Sequence, residues 1–199
     1  MKKTVIRLSL LLGALMLTTA SAAWAAEPIE LLKPNLGRGK NIMQAFAERQ
    51  STRAFDQREL SKADLSDLLW AATGINRPES GKRTNGTGMN KQEIDVYVCL
   101  PEASYFYDFK AHRLVPVSDG DARPFPKAPV NLVIVGATDM RFTDVDGGIV
   151  SQNISIFCAG ADLATVARAG MDHAALKKAL RLDDTKKLVL NHPVGYFKK

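Results

Sequence analysis

Apolar positions along the chain recur with periods that predict a series of short elements. Residues 8–17 form an almost unbroken apolar run, and residues 26–39, interrupted by Pro28 and Pro34, read as an irregular arm lying on something else. Ile42, Ala45, Phe46 and Arg49 recur at helical spacing and predict a helix over 42–49, followed by an extended link over 51–56. Ser61 opens a second helix with Asp64 in its first turn; Leu65, Leu68, Leu69 and Ala72 form its apolar face and Gly74 its stop. The stretch 75–90, rich in Gly, Arg and Asn, predicts a long loop of the kind that usually carries function.

Alternation over 94–100 predicts a strand, and 105–109 with 113–117 a hairpin whose tip is Lys110-Ala111-His112. The continuous apolar run 130–137 predicts a central strand covered on both faces. From Asp146 to about Ala169, small and apolar residues on every side (Ile149, Ile154, Phe157, Ala161, Leu163) predict a long buried helix ended by Gly170. Asp172 caps a short helix over 174–180, and 188–190 and 194–197 are strand-like. Helices and strands interleave without a regular β-α-β period, so the expected class is α+β, a sheet covered by helices.

Charge and the first residues change the picture of what the chain is for. Lys2, Lys3 and Arg7, the apolar run and Ala23-Trp24-Ala25 together form the pattern of a secretory signal cleaved near Ala25. The run is far short of the ~20 residues needed to span a bilayer. The expected organisation is a signal over 1–25, an arm over 26–40 and one domain over 41–199, exported to the periplasm. The full chain has 27 basic and 21 acidic residues; three of the basic ones leave with the signal, so the net charge falls from +6 to +3. That surface excludes a basic nucleic-acid footprint. Cys99 and Cys158 sit among apolar residues and read as small buried hydrophobes, with a disulfide left open. His112, His173 and His192 lie in expected loop or cap positions without metal-ligand spacing, and no metal is expected.

Three segments could carry chemistry. In Arg49-Gln50-Ser51-Thr52-Arg53, alternate residues of an extended chain share a side, so Arg49, Ser51 and Arg53 could converge on a phosphate. Taken alone, the segment reads more readily as a solvated basic turn. Asn90 and Gln92, after Gly86-Thr87-Gly88, offer donors and acceptors to a heterocycle edge. Ala169-Gly170, at the predicted helix end, could expose backbone N–H groups.

The ordered set of these motifs, with Leu69-Trp70-Ala71-Ala72-Thr73-Gly74-Ile75-Asn76-Arg77-Pro78, Gln152-Asn153 and Val194-Gly195-Tyr196, resembles the nitroreductase family of FMN-dependent oxidoreductases from about Met43 to Tyr196. Together with Gly81-Lys82-Arg83-Thr84, the stretch after Leu69 looks most like the branch of thiazole/oxazole-forming peptide dehydrogenases. The resemblance implies an α+β homodimer with FMN at the subunit interface and Asn153 in the dimer-core helix. It implies that Arg49, Gln50, Ser51 and Arg53 grip the phosphate, that Asn90 and Gln92 lie beside the ribityl chain and ring, and that Ala169 and Gly170 approach the flavin N5 region. Lys198 or Lys199 would replace a basic residue that relatives carry in a longer tail. The chemistry would be flavin-centred, with no separate catalytic side chain, and would act on a small organic substrate. For an exported member a periplasmic or membrane electron carrier is expected in place of NAD(P)H. A flavin-binding or structural relative without turnover is the alternative. Gly86-Thr87 stands where the family usually has Pro-Ser, and residues 121–127 are short where relatives carry a helical excursion, which implies a more open site.

Overall fold

The computed structural model describes residues 25–199, so the expected secretory signal, apart from Ala25, lies outside the described residues. The elements are β1 (Ile29–Glu30), α1 (Ile42–Glu48), α2 (Lys62–Thr73), β2 (Ile75–Arg77), β3 (Lys82–Arg83), β4 (Asp95–Cys99), β5 (Ala103–Asp108), β6 (Arg113–Asp119), β7 (Val130–Ala137), α3 (Thr143–Gly160), β8 (Leu163–Thr165), α4 (His173–Ala179) and β9 (Lys186–Tyr196). Seven strands form one sheet in the order β1-β6-β5-β4-β7-β9-β8, every pairing antiparallel. The α+β architecture holds.

Each face of the sheet has its own core. On one side Val96, Val98, Leu132 and Ile134 pack against Leu68 and Leu69 of α2 and Val150, Ile154 and Cys158 of α3. On the other side Cys99, Val133 and Val135 meet Leu176 and Leu180 at α4. This is why β7 is apolar at successive positions. It also separates the cysteines: Cys99 and Cys158 face opposite sides of the sheet and both are free.

Local chemistry explains the helix starts. Ser61 Oγ caps α2 by accepting from the Asp64 N–H at 3.0 Å and donates to the Asp64 carboxylate at 2.6 Å, while the Ser61 N–H donates to Tyr196 Oη at 3.0 Å. Asp172 caps α4 by accepting from the Ala175 N–H at 3.0 Å. The arm does lie on something else: the Leu32 N–H donates to Ser66 Oγ, the Asn35 N–H to Asp67, and Arg38 pairs with both Asp64 and Asp67.

Several expectations are corrected. The long helix ends at Gly160, nine residues before Ala169, because Asp162 adopts a left-handed conformation (φ 57°) and Leu163, Ala164 and Thr165 pair with β9 as strand β8. It is also not buried all round in a single chain, since Val145 is 62% and Ile149 37% exposed. The loop over 75–90 contains the small β2–β3 hairpin and a 3-10 turn at Gly88–Asn90. The two C-terminal strand pieces are one strand, β9, running through Pro193. His192 is not in a loop but wholly buried on that strand.

Candidate functional site

Arg49 closes α1 as its C-cap, its N–H donating to Ala45 O at 3.0 Å. The chain then runs extended along the sheet's end: the Thr52 N–H donates to Thr165 O, Phe55 bridges Phe197, and the Asp56 N–H donates to Tyr196 O. Lys198 and Lys199 follow Phe197, one and two residues past its bridge with Phe55. Arg49, Gln50, Ser51 and Arg53 are all exposed. Neither guanidinium has a carboxylate partner among the described residues, although carboxylates elsewhere take up Arg38, Lys40, Arg123 and Lys186. A cavity of about 310 Å³ opens here, lined by Arg49, Gln50, Ala159, Asp162 and Phe197 among others.

The second group is built around a buried arginine. Arg83 is 4% exposed and lies over the Phe109 ring, 3.6 Å from its centroid. Its Nη1 donates to Ile94 O at 2.7 Å and Thr73 Oγ1 at 3.1 Å, while Nη2 and Nε reach the carbonyl and the side-chain oxygen of Gln92. Burial lowers the guanidinium's pKa, and the carboxylates of Asp95 and Glu93 oppose that shift. The loop it holds is bent by three left-handed residues, Met89, Asn90 and Gln92. Thr87 Oγ1 accepts from the Gln92 N–H at 2.9 Å, and Asp146, 2% exposed at the start of α3, accepts from the Gly88 N–H at 2.8 Å. Burial and the nearby Asp146 carboxylate raise the Glu93 pKa. Asn90 is exposed and makes no side-chain hydrogen bond among the described residues.

Ala169 and Gly170 do not end a helix. They lie on an exposed segment beside β9, where Arg168 and Asn191 exchange backbone hydrogen bonds at 2.9 and 2.8 Å. The Asn191 side chain donates to the carbonyls of Arg168 (3.1 Å) and Gly170 (3.4 Å). Ala169 and Gly170 N–H groups make no hydrogen bond among the described residues. Buried atoms here also lack partners: Arg168 Nη1 and Asn191 Oδ1.

The two polar groups sit at opposite ends of α3. The Asn90–Gln92 loop is tied to Asp146 near its first turn, and the Arg49 cavity touches Ala159 in its last. Thirteen residues of helix separate them by roughly 20 Å. Exposed apolar side chains lie on both packed helices: Val145 and Ile149 on α3, and Ile42, Met43 and Phe46 on α1. Asn153 does not face this gap freely, since its amide reaches Ala72 O at 3.3 Å.

Arg83, Asp146 and Asn191 carry this arrangement and were not legible as site residues. A lone arginine in a glycine-rich loop, an aspartate at a helix start and an asparagine within a strand are ordinary in sequence. Only their partners reveal what they do.

Comparison with known proteins identifies the family. The model of the nitroreductase family matches residues 46–196. No protein of curated function matches the chain. A solved structure from Ralstonia eutropha JMP134, assigned as a nitroreductase, is 30% identical, with a TM-score of 0.80 over 86% of this chain and 90% of that one. The Escherichia coli microcin synthetase McbBCD complex with truncated pro-MccB17 bound shares the fold at 19% identity, with a TM-score of 0.63 over 85% of this chain and 78% of that one. A protein from Parabacteroides distasonis assigned as an NADH dehydrogenase/NAD(P)H nitroreductase shares it at 16% identity, with a TM-score of 0.57 over 80% of this chain and 89% of that one. With its fold and three-quarters of its length matched, the chain belongs to the nitroreductase family of oxidoreductases.

Proposed function

We propose that this protein is an exported, FMN-dependent oxidoreductase that works as a homodimer on a small organic substrate. The observation that carries the reading is the placement of two unpaired guanidinium groups at one end of α3 and a polar, pre-bent loop at the other. One chain holds the two groups roughly 20 Å apart along the helix axis. A second copy packed antiparallel on the exposed strip of α1 and α3 would bring one chain's Asn90–Gln92 loop to the other's Arg49 and Arg53. It would also cover the exposed apolar side chains Ile42, Met43, Phe46, Val145 and Ile149.

The donor set suits FMN. Forked, permanently charged donors match a phosphate, and Arg49, Arg53 and Ser51, with Lys199, are free to bind one. Ala169 and Gly170 offer unsatisfied N–H groups, and the orphaned Arg168 Nη1 behind them adds positive charge. When bound, FMN would supply hydride or electron transfer at N5. Arg168 and the two backbone N–H groups would stabilise negative charge near that edge, and Gln92 would orient the ring. An exported enzyme has no supply of cytoplasmic reduced nicotinamide, so its electrons would come from or go to a periplasmic or membrane carrier.

The test is the purified, processed protein. A yellow dimer whose flavin is reduced and reoxidised by quinones or nitroaromatics is expected. A protein that gains no flavin absorption when mixed with FMN overturns the reading. A yellow protein that is never reoxidised would instead be a relative without turnover. Phe46→Glu with Ile149→Glu is expected to give a folded monomer that no longer retains FMN.

A further inference from the structure

The amino-terminal arm is tied down along its length, and its first tie lies at the expected processing point. β1, the edge strand, pairs with β6 through Ile29–Leu114 and Glu30–Arg113, running antiparallel to it, so the arm's start lies toward Asp119 at the far end of β6. There the Ala26 N–H donates to Asp119 Oδ1 at 3.1 Å, and the Ala25 N–H to Oδ2 at 3.3 Å. Ala26 itself packs, half-buried, against the main core. The Asp119 carboxylate has no cationic partner among the described residues. Further along, His112 Nε2 meets Leu32 O at 2.9 Å, and the Lys40 N–H donates to Gly160 O at 2.9 Å.

We propose that removal of the signal creates an ion pair that completes this strap: cleavage after Ala25 leaves Ala26 with an α-ammonium that docks on the Asp119 carboxylate. The proposal rests on the export reading and is independent of flavin binding. In the processing step water is split across the Ala25–Ala26 peptide bond. The signal leaves with a new carboxylate at Ala25, and Ala26 keeps its nitrogen as an ammonium. The small-x-small pattern Ala23-Trp24-Ala25 puts the scissile bond at this nitrogen.

The exchange favours the processed chain. One amide N–H from Ala25 is lost, but the Ala26 nitrogen gains two further N–H bonds and a full positive charge, so both carboxylate oxygens keep donors. Hydrogen bonds between ionised partners are shorter and stronger than neutral ones. Since Ala26 is held by packing, the ammonium forms where the carboxylate already is. Edge strand β1 thereby gains an anchor at its open end, as exposed sheet edges require.

The experiment uses the full chain, expressed in an exporting bacterial host. Intact mass and amino-terminal sequencing are expected to show a chain starting at Ala26. The α-amino pKa, followed by the pH dependence of amine acylation, is expected to lie above the ordinary ~7.7–8.0 and to return to that range in Asp119→Asn. Hydrogen exchange at Ile29 and Glu30 should accelerate about fivefold in Asp119→Asn, as loss of an exposed ion pair predicts. Acetylation of the Ala26 amine should do the same, which supplies the answer should the variant fail to fold. A chain that retains residues 1–25 defeats the export reading. A start at any other residue, or the same α-amino pKa in both proteins, leaves export standing and defeats the clamp alone.

Discussion

Arg83 donates Nε–H to the side-chain oxygen of Gln92 at 3.1 Å and Nη2–H to its backbone carbonyl at 2.6 Å. Because arginine has only donors, this contact fixes which way the Gln92 amide points: its oxygen faces the guanidinium and its NH₂ faces away. A side chain that could offer either a donor or an acceptor to a ligand is thereby turned into a donor.

Gln92→Glu separates the two roles of that residue. A carboxylate would keep or strengthen the contact with Arg83 and lose the outward NH₂. Thermal stability should stay level or rise, while FMN affinity should fall up to about tenfold, the worth of one net hydrogen bond. Fluorescence titration with FMN and a thermal melt check both halves. Arg83→Met, by contrast, leaves the buried Ile94 carbonyl and the half-buried Gln92 carbonyl without the guanidinium donors and should cost roughly 2–4 kcal/mol of stability in a denaturant titration.

Arg49 and Arg53 are exposed and unpaired, so they do little for the fold. Arg49→Ala with Arg53→Ala should leave stability within about 0.5 kcal/mol of the parent. FMN retention through gel filtration should drop at least about tenfold, since charge-assisted hydrogen bonds contribute about 1.5–3 kcal/mol each. Unchanged retention would remove the phosphate assignment.

His192 predicts an acid-side loss of stability. Thr165 Oγ1 donates to Pro193 O at 2.9 Å, so it accepts from His192 Nδ1–H at 3.2 Å, and Nε2 accepts from Ser151 at 2.7 Å. The neutral ring is fully satisfied, and burial pushes its pKa down to about 4 from the usual 6.5. Between those values the unfolded chain binds the proton and the folded one does not. The stabilisation is therefore complete above pH 6.5 and lost as pH falls toward 4, by about 3 kcal/mol. Denaturant titrations from pH 7 to 4 should show this slope, and His192→Gln should reduce it.

Gly136 lies where β7 turns toward α3, and a Cβ there would overlap the buried Thr143 methyl and come within 3.0 Å of the Ile94 side chain. Gly136→Ala should destabilise by about 1–3 kcal/mol, the usual cost of overpacking. Gly148, with open space around its Cβ position, should accept alanine without such a loss. Paired thermal melts of the two variants test this.

Much of the molecule was determined by the sequence alone. The serine cap at Ser61, the Asp172 cap, the central strand 130–137 and the extended link after Arg49 follow from local rules of spacing and side-chain chemistry. The ordered set of motifs also carried the family. The end of α3 was not legible because Leu163-Ala164-Thr165-Val166 continues the small and apolar composition of the helix. Only pairing with β9 makes it a strand. The buried appearance of α3 was likewise half right, since a single chain covers one side and leaves Val145 and Ile149 exposed. What the tertiary structure decided was partnership: that Arg83 faces Gln92, that Asp146 holds Gly88, that His192 lies between Ser151 and Thr165, and that the arm ends on Asp119. Such pairs lie up to 94 residues apart in the chain. No local period encodes them; they exist only once the two cores on either side of the sheet have brought distant segments together.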